Sequence, residues 1–267
     1  MMKCILGGVS MLALSLSLTI IDGGTPAKPL EQISVAKITT DSLYNSHVNN
    51  LYNEINLEYT GLSQAVFEKA LTGYYNLKKS GKVSEDKSIL SIADFDKNST
   101  QKRLWIIDLD KKKLILNTWV AHGQRSGADK ATRFSNSSDS FQSSIGFYLT
   151  AEVYRGQHGR SLRLDGMDEG FNSNARRRSI VVHGADYVSQ GTINALGRLG
   201  RSQGCPAVPA ELSNLVINTI EGKTVLFINV TDQRYTSRYL DEHMAAAFAS
   251  NFDQQDTTSY QDSTLNI

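Results

Sequence analysis

The sequence is poor in cysteine and proline and has almost no net charge. Only two cysteines, Cys4 and Cys205, and four prolines occur in 267 residues. Lysine and arginine (28) nearly balance aspartate and glutamate (27), so no basic excess is available to neutralise a run of phosphates, and nucleic acid is not an expected partner. A composition of 40% hydrophobic and 21% charged residues is typical of a globular protein and excludes a fibrous or wholly disordered chain.

The N-terminus has one lysine and then an apolar run over residues 5–21, which ends at "DGGTPAKP". This order predicts a secretory signal peptide over residues 1–27 or, if it is not cleaved, a membrane anchor formed by residues 5–21. The chain is therefore expected to be exported to the periplasm or cell envelope. Removal of the signal would leave Cys205 as the single thiol, which indicates an intermolecular bridge, a reactive thiol or an inert buried cysteine.

Hydrophobic periodicity predicts a helical segment in the N-terminal part of the chain and, after it, a series of short strands. Apolar residues recur at four-residue spacing over 62–79, which predicts a helix, and a weaker helix is expected over 41–58. Runs of β-forming residues predict six strands, at 88–95, 103–109, 114–123, 147–156, 178–188 and 223–230. Polar, glycine-containing loops are expected between some of them, over 125–144 and 158–178.

These patterns divide the chain after the signal into three parts. Residues 28–84 form the N-terminal helical segment, residues 85–232 form the main domain, and residues 233–267 form a C-terminal tail. The last two dozen residues of this tail are expected to begin as a short helix and then to be loose. Within the main domain, residues 209–222 read as a helix, with proline at its start and glycine just past its end.

Cys205 lies in "GRLGRSQGCPAVP" with three features that can activate a thiol. A helix is predicted to begin near Pro209, Arg198 and Arg201 flank the cysteine in sequence, and His183 ends the apolar strand "SIVVHG". The backbone N–H groups around Gly204 and Cys205 could face a developing oxyanion.

Two other chemistries are open at this point. Residues 200–204 form a literal G-x-S-x-G around Ser202, but the residues before it make a poor strand and the prolines behind it delay the helix, which disfavours a serine hydrolase. His122, His158 and His183 could supply three zinc ligands, although no H-E-x-x-H, H-x-H or paired-cysteine spacing accompanies them.

The strand-end histidine followed by "SQGC" resembles the catalytic motif of the YkuD-type L,D-transpeptidases of bacterial cell walls. The ordered series "VAHGQRSG", "ATRFSNSSDSFQSSIGFYLT", "HGRSLRLDGMDEGFN", "IVVHGADYVS" and "GRLGRSQGCPAVP" is similar to the murein L,D-transpeptidase catalytic domain family proteins, over about residues 85–230. The resemblance implies an α+β fold, mainly β with α, that has a mixed β-sheet core and an N-terminal helical segment. It also implies that Cys205 is the nucleophile and His183 the base, with Ser202 and Gly204 completing the cysteine motif.

The sequence departs from the family pattern at three points. Gln203 stands where most members have a histidine, Ala207 replaces a frequent asparagine or arginine, and 22 positions separate His183 from Cys205, a few more than is common. The group that orients the base is left open, because Gly184 offers only a backbone carbonyl, and Asp186 and Ser189 are merely nearby in sequence.

The implied reaction is acyl transfer on peptidoglycan stem peptides through a cysteine thioester, which forms 3→3 crosslinks and needs no metal or organic cofactor. An L,D-carboxypeptidase and a non-catalytic peptidoglycan-binding envelope protein are the alternatives. Candidate substrate-binding residues are His122, His158, Arg198 and Arg201. An ordinary hydrogen-bonded loop histidine is an equally good interpretation of His122 and of His158. The run Arg176–Arg178 is expected to be a solvated charged face in preference to a carboxylate site.

Overall fold

A computed structural model describes residues 29–249, with side chains from residue 42 onward. Two helices come first, α1 (Pro29–Glu54) and α2 (Gln64–Lys79), joined through a short 3₁₀ turn (Leu57–Thr60). Ser63 caps α2, since its hydroxyl accepts from the Val66 N–H at 3.3 Å. The predicted helix over 62–79 is thus confirmed, and the weaker one forms a longer helix than expected.

Eight strands form one mixed sheet with the spatial order β3-β2-β1-β8-β4-β5-β6-β7. Neighbouring strands are antiparallel except for the β1–β8 and β6–β7 pairs, which are parallel. The α+β class is confirmed. The bounds are β1 (Ile89–Asp94), β2 (Leu104–Asp108), β3 (Lys113–Thr118), β4 (Gly146–Gly156), β5 (Gly159–Gly166), β6 (Val181–Ala185), β7 (Ala207–Pro209) and β8 (Val225–Asn229).

The helices α1 and α2 pack on one face of the sheet and share a core with it. Gly73 of α2 lies directly against Phe147 of β4, where a Cβ atom would come within 2.0 Å of the phenyl ring. Only glycine allows this close approach of helix and sheet. The N-terminal helical segment is therefore not separate from the sheet in packing terms, although the sequence suggested a boundary at residue 84.

Two further helices, α3 (Gln190–Leu196) and α4 (Ser213–Ile220), follow β6 and β7 in the chain. Val216, Ile217 and Ile220 of α4 are buried against the second face of the sheet. The predicted helix over 209–222 is shorter than expected, because β7 and a 3₁₀ turn (Ala210–Leu212) come before it. The start of α4 is therefore eight residues from Cys205, and the expected helix N-terminus beside the thiol is not observed.

One other expectation changes. The region 158–178, expected to be a loop, contains β5, in which Leu162 and Leu164 are fully buried and Arg163 between them is not. The C-terminal tail is packed up to residue 249: Tyr239 and Ala245 are buried in the helix-side core, and residues 242–249 form a short helix where one was expected.

Several expectations concern residues outside the described part: the signal peptide or anchor, Cys4, and the chain beyond residue 249. Between residues 29 and 249, no helix combines the length and apolar character needed to cross a membrane.

Candidate active site

The parallel pair β6–β7 brings the predicted base and nucleophile to one end of the sheet. The Cα atom of His183 in β6 is paired with that of Ala207 in β7, and Cys205 comes two residues before Ala207. Two residues of extended chain span about 7 Å, within the combined reach of an imidazole and a cysteine side chain. The 21 residues that separate them in sequence contain the end of β6, α3 and the loops around α3, so pairing of the strands, not proximity in the chain, makes them neighbours.

His183 is 2% exposed, and its ring has a defined orientation. Its Nδ1 lies 2.9 Å from the carbonyl oxygen of Gly184, which can only accept, so Nδ1 carries the proton and Nε2 is left as the basic nitrogen. No described protein group bonds to Nε2. Burial lowers the pKa of His183, and a charge on His158 lowers it further, whereas the Gly184 hydrogen bond raises it.

Gly184 fixes the carbonyl that orients His183. A Cβ at this position would lie 2.7 Å from the side chain of Ser213 and 3.2 Å from the Cα atom of Ala210, so the start of α4 packs onto a bare backbone. The orienting group that the sequence left open is thus this backbone carbonyl. Asp186, which is exposed, and Ser189, whose hydroxyl caps α3, do not bond to His183.

The Cys205 thiol is half-buried and free. Its described hydrogen bond runs to the carbonyl oxygen of Ser179, at 3.7 Å, and not to His183. Burial raises the pKa of Cys205, while a backbone hydrogen bond at Val181 and the charge of Arg178 act to lower it. The resting group is therefore a neutral thiol that has to turn from the Ser179 carbonyl to reach a base.

Ser202 holds the turn before the thiol. Its hydroxyl donates to the Cys205 carbonyl at 2.6 Å and accepts from the Gly204 N–H at 3.0 Å. The Gly204 N–H is thus occupied and does not face an oxyanion, contrary to expectation, whereas the Cys205 N–H has no acceptor in the described protein. Gly204 has φ +126°, and a Cβ there would lie 2.7 Å from the Gln142 carbonyl, so this turn requires glycine.

Residues 121–124 support the same turn through isolated β-bridges, from Ala121 to Ala207 and from Gly123 to Ser202. The Ser202 N–H donates to the His122 carbonyl at 3.0 Å, and the Gln124 N–H donates to the Ser202 carbonyl at 2.8 Å. His122 is fully buried, and Nδ1 accepts from the fully buried Arg103 guanidinium at 2.8 Å. Burial, followed by the charge of Arg103, lowers the pKa of His122 to about 4. His122 therefore lies inside the protein and not on a substrate-facing surface.

Arg178 was expected to belong to a solvated charged face, but it lies half-buried beside the turn that precedes Cys205. Its guanidinium donates four hydrogen bonds to the loop over 135–144, and a Cβ at Gly204 would lie 3.3 Å from its Nη2. Its neighbours do behave as a solvated face: Arg176 pairs with Glu152 and Asp165 at the surface, and Arg177 is exposed. No signal in the sequence distinguished Arg178 from these two neighbours.

The remaining predicted site residues lie around this centre. His158 is exposed at the tip of the β4–β5 hairpin and stacks on His183, with ring centroids 4.4 Å apart. Arg201 donates to the carbonyls of Gln124 and Gly127, and Arg198 donates to that of Leu199, so both guanidinium groups already bind backbone.

The two alternative chemistries find no support in this geometry. The Ser202 hydroxyl is buried and committed to the turn, so it is not placed as a nucleophile. Among the residues that the structure describes, no group of three or more His, Cys, Asp or Glu side chains is arranged to hold a metal ion.

Solved structures of low sequence identity are similar to parts of this chain. The L,D-transpeptidase from Mycobacterium smegmatis is 10% identical, with 54% of this chain and 59% of that chain covered and a TM-score of 0.34. An L,D-transpeptidase from Mycobacterium tuberculosis H37Rv is 14% identical, with 54% and 58% covered and a TM-score of 0.32. The helical cell shape determining protein from Campylobacter jejuni is 14% identical, with 71% and 68% covered and a TM-score of 0.38.

The chain thus spans less than two thirds of each of the two mycobacterial structures. None of these three structural similarities is used to assign the family. No curated protein matches the chain. The sequence model of the L,D-transpeptidase catalytic domain matches residues 58–229, which include α2, the whole sheet and the cysteine turn. The chain therefore belongs to the L,D-transpeptidase catalytic domain family of the YkuD type.

Proposed function

We propose that this protein is a peptidoglycan L,D-transpeptidase that forms 3→3 crosslinks through a thioester on Cys205, with His183 as the base. The observation that carries the proposal is the pairing of β6 with β7. It brings an unpaired, half-buried thiol to the strand end where an imidazole has Nδ1 committed to a carbonyl and Nε2 free. Membership of the family supports the substrate class.

The first half-reaction makes the thioester. The Cys205 sulfur bonds to the carbonyl carbon of the third residue of a tetrapeptide stem while Nε2 of His183 takes the thiol proton. The bond to the terminal D-alanine then breaks, and His183 gives its proton to the leaving amine. A resting thiol, not a thiolate, fits this order, since burial raises the pKa of Cys205 and lowers that of His183.

The second half-reaction transfers the acyl group. An amine of a neighbouring stem attacks the thioester and loses a proton to His183, and the sulfur leaves and recovers that proton. The oxyanion formed in each half would accept from the free N–H of Cys205, because Ser202 occupies the Gly204 N–H. Ser202, Gly204 and Arg178 would position the turn without touching the substrate.

We further propose that residues 1–27 export the protein and that it acts in the periplasm or cell envelope, where its substrate lies. The exposed side chains of Gln203, two residues before Cys205, and of His158, stacked on His183, are the proposed contacts to the stem. The exposed part of Arg201 is a weaker candidate, because its guanidinium already binds two carbonyls.

Purified full chain incubated with tetrapeptide muropeptides tests the proposal. Mass spectrometry should find dimers crosslinked 3→3 and free D-alanine, and C205A should form neither. An exposed histidine on the C-terminal helix gives a matched control, since H243A should leave the products unchanged while H183A should lose them.

The products distinguish the proposed transpeptidase from the two alternative functions. Release of D-alanine without dimers would make the protein an L,D-carboxypeptidase, with water in place of the amine. Tight muropeptide binding with neither product, in folded and reduced protein, would make it a binding protein and refute the enzyme. A carbapenem should add its mass to the peptide that contains Cys205, and an unchanged mass would argue against an activated thiol.

A further inference from the structure

The tip of the β4–β5 hairpin lies over the imidazole of His183. His158 is one of the two residues between these strands, and its ring is nearly parallel to that of His183, with an interplanar angle of 20° and centroids 4.4 Å apart. His158 is exposed, whereas His183 is 2% exposed. The His158 ring, the outer ring, therefore separates one face of the His183 ring, the inner ring, from solvent.

We infer that His158 is a positioning residue for His183, carried by the β4–β5 hairpin as a cover over the face of the base. The inference rests on the proposed function of His183. Two contacts then define the inner ring: the Gly184 carbonyl holds Nδ1 in the plane, and His158 closes one face. Nε2 lies in the ring plane and is not covered by a stacked partner, so the cover leaves it open to the thiol.

The cover is also a side chain that can carry a positive charge. Such a charge on His158 lowers the pKa of His183, in the same direction as burial does. The strand neighbours on either side and the start of α4 contribute neutral groups only: Ser161, Ala207, Ala210 and Ser213. Arg160, close to the hairpin tip, pairs with Glu221 at 3.6 Å instead.

The direction of the effect follows from the sign of that charge. A proton on His158 disfavours a second positive charge on His183, and burial under the cover acts in the same direction. His183 therefore stays neutral, and able to accept a proton, to a lower pH than an uncovered imidazole would. A charge on His158 therefore keeps the proposed base able to accept a proton as the medium becomes acidic.

Alkylation of Cys205 by iodoacetamide across pH tests the inference in the full chain, which removes the need for a substrate. H158F keeps a flat ring over His183 and deletes the charge, whereas H158A deletes both, and H243A is the matched control. At about pH 6 we expect H158F to be slower by up to about fivefold, the effect of unit charges 4.4 Å apart in water. H158A should be slower still, and all variants should agree well above neutrality.

Nuclear magnetic resonance titration of the His183 ring gives a readout that does not depend on the reaction. Its midpoint should move to higher pH in H158F and H158A and stay unchanged in H243A. If both His158 variants coincide with the parent in rate and in midpoint, the inference is wrong. If H183Q leaves the alkylation profile unchanged, His183 is not the base and the proposed function is wrong. The titration midpoint of His183 in the His158 variants then decides by itself whether His158 covers the His183 ring.

Discussion

Replacement of Arg178 by methionine should have two separable effects. It should destabilise the loop over 135–144 that packs beside the Cys205 turn, and it should lower the alkylation rate of the Cys205 thiol. The guanidinium donates to the Ser135 and Gln142 carbonyls, both at 2.6 Å, and to the hydroxyls of Ser140 at 3.1 Å and Ser144 at 3.2 Å. At a net worth of about 1 kcal/mol each, these bonds sum to about 4 kcal/mol. Because Arg178 is only half-buried, water replaces part of this, and we expect the free energy of unfolding to fall by about 2–4 kcal/mol.

The second effect acts on the thiol. The charge of Arg178 lowers the pKa of Cys205, so its loss should raise that pKa and slow alkylation at neutral pH. R178K separates the effects, since it keeps the charge but cannot make the four bonds of the planar fork. We expect R178K to recover part of the alkylation rate but little of the stability lost in R178M.

Urea unfolding and amide hydrogen exchange of residues 135–144 measure the first effect, and the alkylation rate of Cys205 measures the second. R177M is the matched control, because its exposed side chain lies next in sequence and contributes no described bond to this loop. If R178M and R177M show the same stability and the same exchange in the loop, the assigned bonds do not hold it. If R178M alkylates as fast as the parent, Arg178 does not influence the thiol.

Three further substitutions test the turn itself. S202A should lower the free energy of unfolding by about 2 kcal/mol, because it strands the buried Gly204 N–H and the Cys205 carbonyl, and should slow alkylation; unchanged values in urea unfolding and alkylation would refute this role. G204A should lower the free energy of unfolding by at least about 1–3 kcal/mol, because φ at this position is +126°. In the control G191A the added Cβ meets only one atom, at 3.8 Å, so this variant should not be destabilised; equal unfolding curves for the two variants would contradict the strain at Gly204. The pKa of His122 is about 4 when folded and about 6.5 when unfolded, so stability should fall by about 3 kcal/mol as pH drops between these values; H122Q should flatten that slope in urea unfolding, and an equal slope would refute it.

The sequence alone predicted the strands that bury long apolar runs. Leu90, Trp105 and Phe227 lie on strands that were expected, because β-forming runs bounded by polar turns leave few alternatives. The thiol and the imidazole were also found, since the only cysteine of the described residues stands in a glycine-rich turn and the histidine ends an apolar strand.

The features that the sequence did not predict depend on contacts between distant parts of the chain. The strand β5 alternates leucine with charged or polar residues, but its flanking glycines and charges made the region read as a loop, and only pairing with β4 and β6 stabilises it. The strand β7 is three residues long and begins directly after Pro206, too short to carry a periodic signal. Arg178 could not be distinguished from Arg176 and Arg177, because burial beside a distant loop leaves no trace in local composition.

The two departures from the family motif have different physical meanings. Ala207 is fully buried, pairs with His183 on one side, and accepts from the Ala121 N–H at 2.8 Å on the other. Ala207 lies in a small buried cluster with Ala121, Val188 and Leu199, so a small apolar side chain suits this packing. Gln203 is exposed on the turn before Cys205. The departure at Gln203 therefore changes the surface beside the thiol, whereas the departure at Ala207 lies in the buried packing beneath the paired strands.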